Sequence, residues 1–179
     1  YRKIAGYIAR CVWQRQGNYM VFFPSYRLME DVLQVYEEEF SVDWVRCVCQ
    51  TPDMTEQERE GFLEEFQERE GTLVGFCVLG GIFSEGVDLT GESLIGAVIV
   101  GTGLPQIGSQ REILKEYYDK KNHCGFDYAY RYPGMNKVLQ AAGRVIRTKE
   151  DKGVILLLDD RFWDRDYQEI FPREWQDRT

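Results

Sequence analysis

Five short apolar runs, separated by stretches of helical periodicity, constrain this chain more than any other feature: 19–23, 45–49, 72–79, 94–100 and 153–158. Each stops at glycine, proline or polar residues. Strands apolar along their whole length are covered on both faces, and strands joined by helical crossovers run parallel. The pattern predicts an α/β fold, a mainly parallel sheet with helices on both faces. Helices are expected at 4–14, 26–40, 56–70 and 110–121, with a last short one at 162–171. Thr55 with Glu58 forms a candidate capping box for the third of these. Tyr132-Pro133-Gly134 is expected to break the chain after a Tyr-rich connection over 122–131.

With 179 residues, 44% of them hydrophobic and 14% aromatic, the chain suits one compact domain with a substantial core. The segment 106–135 reads as a helical or irregular insertion within it. The run 94–100, interrupted by Gly96, is too short to cross a bilayer. No signal-peptide core follows Tyr1, so the expectation is a cytoplasmic protein, or a piece cut from one, with no membrane partner.

Five scattered cysteines, at 11, 47, 49, 77 and 124, give no disulfide framework. Cys47 and Cys49 alternate across a strand, and His123 is the single imidazole, so no metal site is expected. Cys47, Cys49 and Cys77 read as small core or near-core residues, and His123 as part of a solvated loop.

The net charge of -8 is unevenly spread. Residues 30–70 hold 14 acids and three bases, which predicts one strongly acidic face on an otherwise mildly basic molecule. Nothing resembles a basic DNA-binding tail.

In sheets of this kind functional residues collect at the carboxyl ends of strands. Three segments stand there: Pro24-Ser25-Tyr26, residues 80–88, and Asp159-Asp160-Arg161. A fourth motif, Gln140-Ala141-Ala142-Gly143-Arg144-Val145-Ile146-Arg147, spaces two arginines three apart, which on a helix sets both on one face. Planar, permanently charged donors suit triphosphate oxygens, and Gly143 leaves room for a close approach. Phe22 and Phe23 alternate, so one is expected in the core and only the other could be exposed. The tyrosines 117, 118, 128, 130 and 132 either line a strand track or pack an irregular segment onto the sheet.

These residues carry a resemblance to the second, C-terminal RecA-like motor domain of XPD/DinG-type superfamily 2 DNA helicases. Residues 17–26 resemble that family's motif IV, Ser84-Glu85-Gly86-Val87-Asp88-Leu89 its motif V, and Gln140 to Arg147 its motif VI, Q-x-x-G-R-x-x-R. Leu157-Leu158-Asp159-Asp160-Arg161-Phe162 is similar to the segment that follows. The resemblance spans nearly the whole chain, in order. It implies a RecA-like fold and half of an ATP-driven motor. The chain has no G-x-x-x-x-G-K-[ST] phosphate loop and no D-E-x-H box. The other half, an N-terminal RecA-like motor domain of the same polypeptide, would therefore complete the site for ATP with Mg2+.

By the same resemblance, Arg147 is the candidate arginine finger and Arg144 a second phosphate contact. Gln140, Gly143, Glu85, Gly86 and Asp88 would meet the nucleotide. Ser25, Tyr26 and Ser84 would meet single-stranded DNA. A non-catalytic RecA-like module that binds nucleotide or protein, and an unrelated nucleotide-binding α/β domain, remain open at this point.

Overall fold

The computed structural model describes residues 1–67, 71–83, 93–146 and 152–175. Among them run α1 (Arg2–Trp13), β1 (Asn18–Phe23), α2 (Tyr26–Glu39), β2 (Val45–Cys49), α3 (Glu56–Glu65) and β3 (Thr72–Val78). β4 (Gly96–Val100), α4 (Ser109–Asn122), α5 (Tyr132–Ala142), β5 (Val154–Leu158) and the single turn α6 (Arg165–Gln168) complete the order. The strands form one sheet in the order β2-β3-β1-β4-β5, and every neighbouring pair is parallel. The RecA-like α/β fold expected from the sequence is the fold observed.

β1 lies at the centre, and all six of its residues are buried. Phe22 and Phe23 are both 0% exposed, against the expectation that one could be free. Alternation sends them to opposite faces, and both faces are covered. Phe23 packs with α1 and α2 on one side, among Ile8, Val32 and Tyr36. Phe22 packs with α3 and α5 on the other, among Phe66, Met135 and Val138.

This arrangement also corrects the charge expectation. Acidic α2 and α3 lie on opposite faces of the sheet, so their acids are divided between the two faces rather than gathered on one. α3 begins as expected: Thr55 Oγ1 accepts the Glu58 N–H at 3.3 Å, and Glu58 Oε2 accepts the Thr55 N–H at 2.8 Å. Its Phe62 and Phe66 enter the core, with Leu63 partly buried beside them.

Tyr132-Pro133-Gly134 does not break the chain. Residues 125–142 are continuously helical, with a π-helical turn at Asp127–Arg131 feeding α5. The widened turn explains why. Proline lacks an N–H and its ring crowds the carbonyl four residues back. Here the Tyr132 N–H reaches five residues back to Asp127, and the Ala129 carbonyl accepts Arg111 Nη1 at 2.9 Å. Gly134 then lets α5 touch the turn after β4: a Cβ there would stand 2.6 Å from the Thr102 carbonyl oxygen. His123 caps α4 in the left-handed region, at φ 60°, and is exposed.

Candidate nucleotide and nucleic-acid site

The strands end level with one another. Leu79 N–H donates to the Phe23 carbonyl at 2.8 Å, and Gly101 N–H to the Leu158 carbonyl at 3.1 Å. Pro24 therefore stands beside Gly101, with Asp159 on its other side, at the carboxyl end of the sheet.

Ser25 is exposed at this end and caps α2, its Oγ accepting the Leu28 N–H at 3.3 Å. The cap uses the oxygen as acceptor and leaves the hydroxyl proton to donate outward. Tyr26 is held differently. It is half-buried, and its hydroxyl accepts from Gln50 Nε2 at 2.8 Å. Burial raises its pKa above the ordinary tyrosine value, so the phenol stays neutral. Gln50 is 3% exposed, and its Oε1 accepts the Val78 N–H at 3.0 Å. One amide thus ties the start of α2 to the end of β3.

The chain leaves β3 through Gly80, in the left-handed region at φ 72°, with Lys137 of α5 laid across it. Gly81 N–H closes the turn onto the Val78 carbonyl at 3.0 Å. Phe83, fully buried, stacks on Phe62 with ring centroids 4.1 Å apart. Ser84, Glu85, Gly86 and Asp88 come next and lie outside the described residues.

Arg144 and Val145 of the arginine motif stand at the opposite end of the sheet. Val145 packs against Gly153, and Val154 N–H donates to the Ile95 carbonyl at 2.9 Å, so the motif meets the amino ends of β4 and β5. Gln140 is exposed on α5. The expectation of a helix carrying both arginines is corrected: α5 ends at Ala142, with Gly143 as its exposed C-cap. Arg144 N–H bonds to Ala141 at 3.2 Å and Val145 N–H to Ala142 at 3.1 Å, three residues back in each case. The last turn tightens in this way, as helix ends do, and carries half-buried Arg144 beyond the helix. Arg147 lies outside the described residues.

Asp159 does not face outward as a free carboxylate. Its oxygens take Arg161 Nε at 2.8 Å and Nη2 at 2.7 Å, a forked pair, and its pKa is lowered chiefly by that bond. Cys77 is buried and Cys47 half-buried, whereas Cys49 is exposed and so stands outside the core. Burial pushes the Cys47 thiol up to about 12. Among the described residues, no cluster of three or more thiols, imidazoles or carboxylates could hold a metal ion, and no helix is long and apolar enough to cross a membrane.

Sequence reasoning missed Gln50 and Lys137, and took Phe83 only as part of the 80–88 segment. Gln50 follows a strand and precedes Thr51-Pro52, a position that reads as loop. Phe83 left a signal, an apolar Ile82-Phe83 pair within a glycine-rich run.

A family model described as helicase C-terminal domain matches residues 8–178. The regulator of telomere elongation helicase 1 homolog of Drosophila melanogaster is 30% identical over 160 residues, which cover 81% of this chain and 16% of that protein. The homolog of Culex quinquefasciatus is 31% identical over 161 residues, 82% of this chain and 16% of that one. The chain thus spans about a sixth of the length of these curated relatives. A solved structure described as XPD helicase superposes with TM-score 0.71 at 25% identity, over 92% of this chain and 29% of that one. One described as XPD in its apo form gives 0.72 at 24%, over 93% and 33%.

Proposed function

Because the chain belongs to the helicase C-terminal domain family, of the XPD/DinG type, we propose that it is the second half of an ATP-dependent helicase motor. An N-terminal RecA-like motor domain of the same polypeptide would supply the phosphate loop and the acidic residues that hold Mg2+. This chain closes that site with Arg147 as the finger and Arg144 as a second phosphate contact. Gln140 and Gly143 stand beside them, while Glu85, Gly86 and Asp88 reach the nucleotide from the segment after β3. Ser25, Tyr26 and Ser84 meet single-stranded DNA at the carboxyl end of the sheet. The observation that carries this reading is the family match over 8–178, which takes in the sequence motif Q-x-x-G-R-x-x-R at 140–147.

The chemistry is consistent with the residues at hand. Charge that builds on phosphoryl oxygens in the transition state is stabilised by a planar guanidinium delivered from a second domain. Ser25 donates to a phosphate oxygen, a contact that carries no sequence preference. Tyr26 has its hydroxyl engaged by Gln50, so its contact with the strand comes from the half-exposed ring.

An interaction formed mainly in the transition state affects kcat more than nucleotide binding. In the complete polypeptide, Arg147→Ala should lower DNA-stimulated kcat on the order of 10³-fold. ATP affinity should change far less, and Arg147→Lys should rescue poorly. The chain alone should not hydrolyse ATP. Melting temperature and kcat measured on one preparation decide the matter: an Arg147→Ala protein that melts early yet turns over normally would show a structural arginine and sink the proposal.

A further inference from the structure

The surface built by α4 and the π-helical turn holds a stair of tyrosine rings. Tyr117 and Tyr118 meet edge to face with centroids 5.1 Å apart, and Tyr118 stacks on Tyr128 at 4.1 Å and 10°. Tyr128 meets Tyr132 edge to face at 5.3 Å. Had these rings packed an irregular segment onto the sheet, they would be covered. Instead α4 buries none of its 14 residues, and Tyr117, Tyr128 and Tyr132 are 56%, 40% and 39% exposed. The contacts among them hold the rings in place while leaving faces open to solvent.

Charge at the stair is positive where it is uncompensated. Asp119 is paired with Lys115 and Asp127 with Arg131, while Glu112, which accepts the Tyr130 hydroxyl and keeps its charge, is answered by Arg111 near the same hydroxyl. Glu116 stands four residues before Lys120, on the same helix face. Lys121 remains, with its Nζ 5.7 Å from the Tyr117 centroid and 5.9 Å from that of Tyr118. It makes no ion pair among the described residues. The stair also lies at the carboxyl end of the sheet. Tyr132 opens α5 beside Gly134, which touches the turn after β4, and that turn touches Pro24 next to Ser25.

We propose that Tyr117, Tyr118, Tyr128 and Tyr132, with Lys121, form a stacking platform for the bases of single-stranded nucleic acid, continuing the strand's path beyond Ser25. This rests on the motor reading above and adds to it a stretch of substrate contact. An open phenol face stacks on any base, and an ammonium beside it meets the adjoining phosphate, so the platform binds without reading sequence. An aliphatic protein-docking face needs neither feature.

Fluorescence anisotropy of the chain at low ionic strength, with a labelled oligothymidine and an abasic strand of equal length, tests the platform. Both strands carry the same phosphates, so the wild-type chain should prefer the one with bases. Tyr117→Ala should weaken oligothymidine binding roughly tenfold and leave the abasic strand unaffected. Tyr117→Phe should keep the preference, and Lys121→Ala should weaken both strands. Tyr117 and Lys121 are exposed on α4, so the variants should melt with the wild type. If the wild type binds both strands equally, or Tyr117→Ala keeps its preference, the platform fails while the motor reading stands. If neither strand binds, the single-strand reading fails with it. An oligouridine that binds as well as oligothymidine would extend the platform to RNA.

Discussion

Gln50 uses both ends of one amide at a buried position. Removing it would break its bonds to the Val78 N–H and the Tyr26 hydroxyl together. Each such bond contributes about 0.5–1.5 kcal/mol net, so Gln50→Ala should destabilise the chain by about 1–3 kcal/mol in denaturant unfolding. Tyr26→Phe, which orphans only the amide nitrogen, should cost less. Nothing in the sequence pointed to this residue, because its partners are 24 and 28 positions away. The Thr55–Glu58 capping box was legible because both partners are three residues apart. Asp159 allows a test in pH. Its folded pKa lies below the ordinary carboxylate value, so on acidification the unfolded chain takes up the proton first. The stabilisation is complete above the carboxylate range and is lost as pH falls through it. Asp159→Asn should therefore be less stable than wild type at pH 7, with the gap closing below about pH 4. A gap independent of pH would mean that the Arg161 pair contributes nothing.

Elements were read well where the pattern was local. The five strands were found because each is mostly apolar, and their ends moved by no more than two residues. The helical path through Pro133 was not found. Its resolution needs Arg111, 22 positions earlier in the sequence, to accept the role of partner to the Ala129 carbonyl. Gly134, read as part of a break, is instead a spacer between α5 and β4. A methyl group there would meet the Thr102 carbonyl at 2.6 Å and the Gly103 backbone at 3.1 Å. Both are main-chain atoms, so little can yield. Gly134→Ala should destabilise by about 1–3 kcal/mol, the usual cost of overpacking, despite alanine's better helix propensity. A more stable variant would mean that α5 can slide.

Across the whole molecule, stability should follow position in the sheet. β1 is paired on both sides and covered on both faces, whereas β2 and β5 are edges, and Val154 of β5 is 50% exposed. Amide exchange should be slowest in β1, then β3 and β4, and fastest in β2 and β5. Uniform protection would contradict that gradient. The candidate site was legible as a set of motifs but not as a layout. Spacing could name Ser25 and Arg144, yet only the strand register puts them at opposite ends of one sheet.

That layout gives α5 a mechanical meaning. At about 1.5 Å per residue its 11 residues make a rod roughly 16 Å long. One end is seated backbone to backbone on the turn behind Pro24, and the other stops at Ala142, two residues short of Arg144. A helix resists compression along its axis, and the Gly134 seat has no side chain to absorb a push. On the motor reading proposed above, a push from nucleic acid at the Gly134 end would be carried along this rod toward Arg144, as a pushrod delivers the motion of a cam.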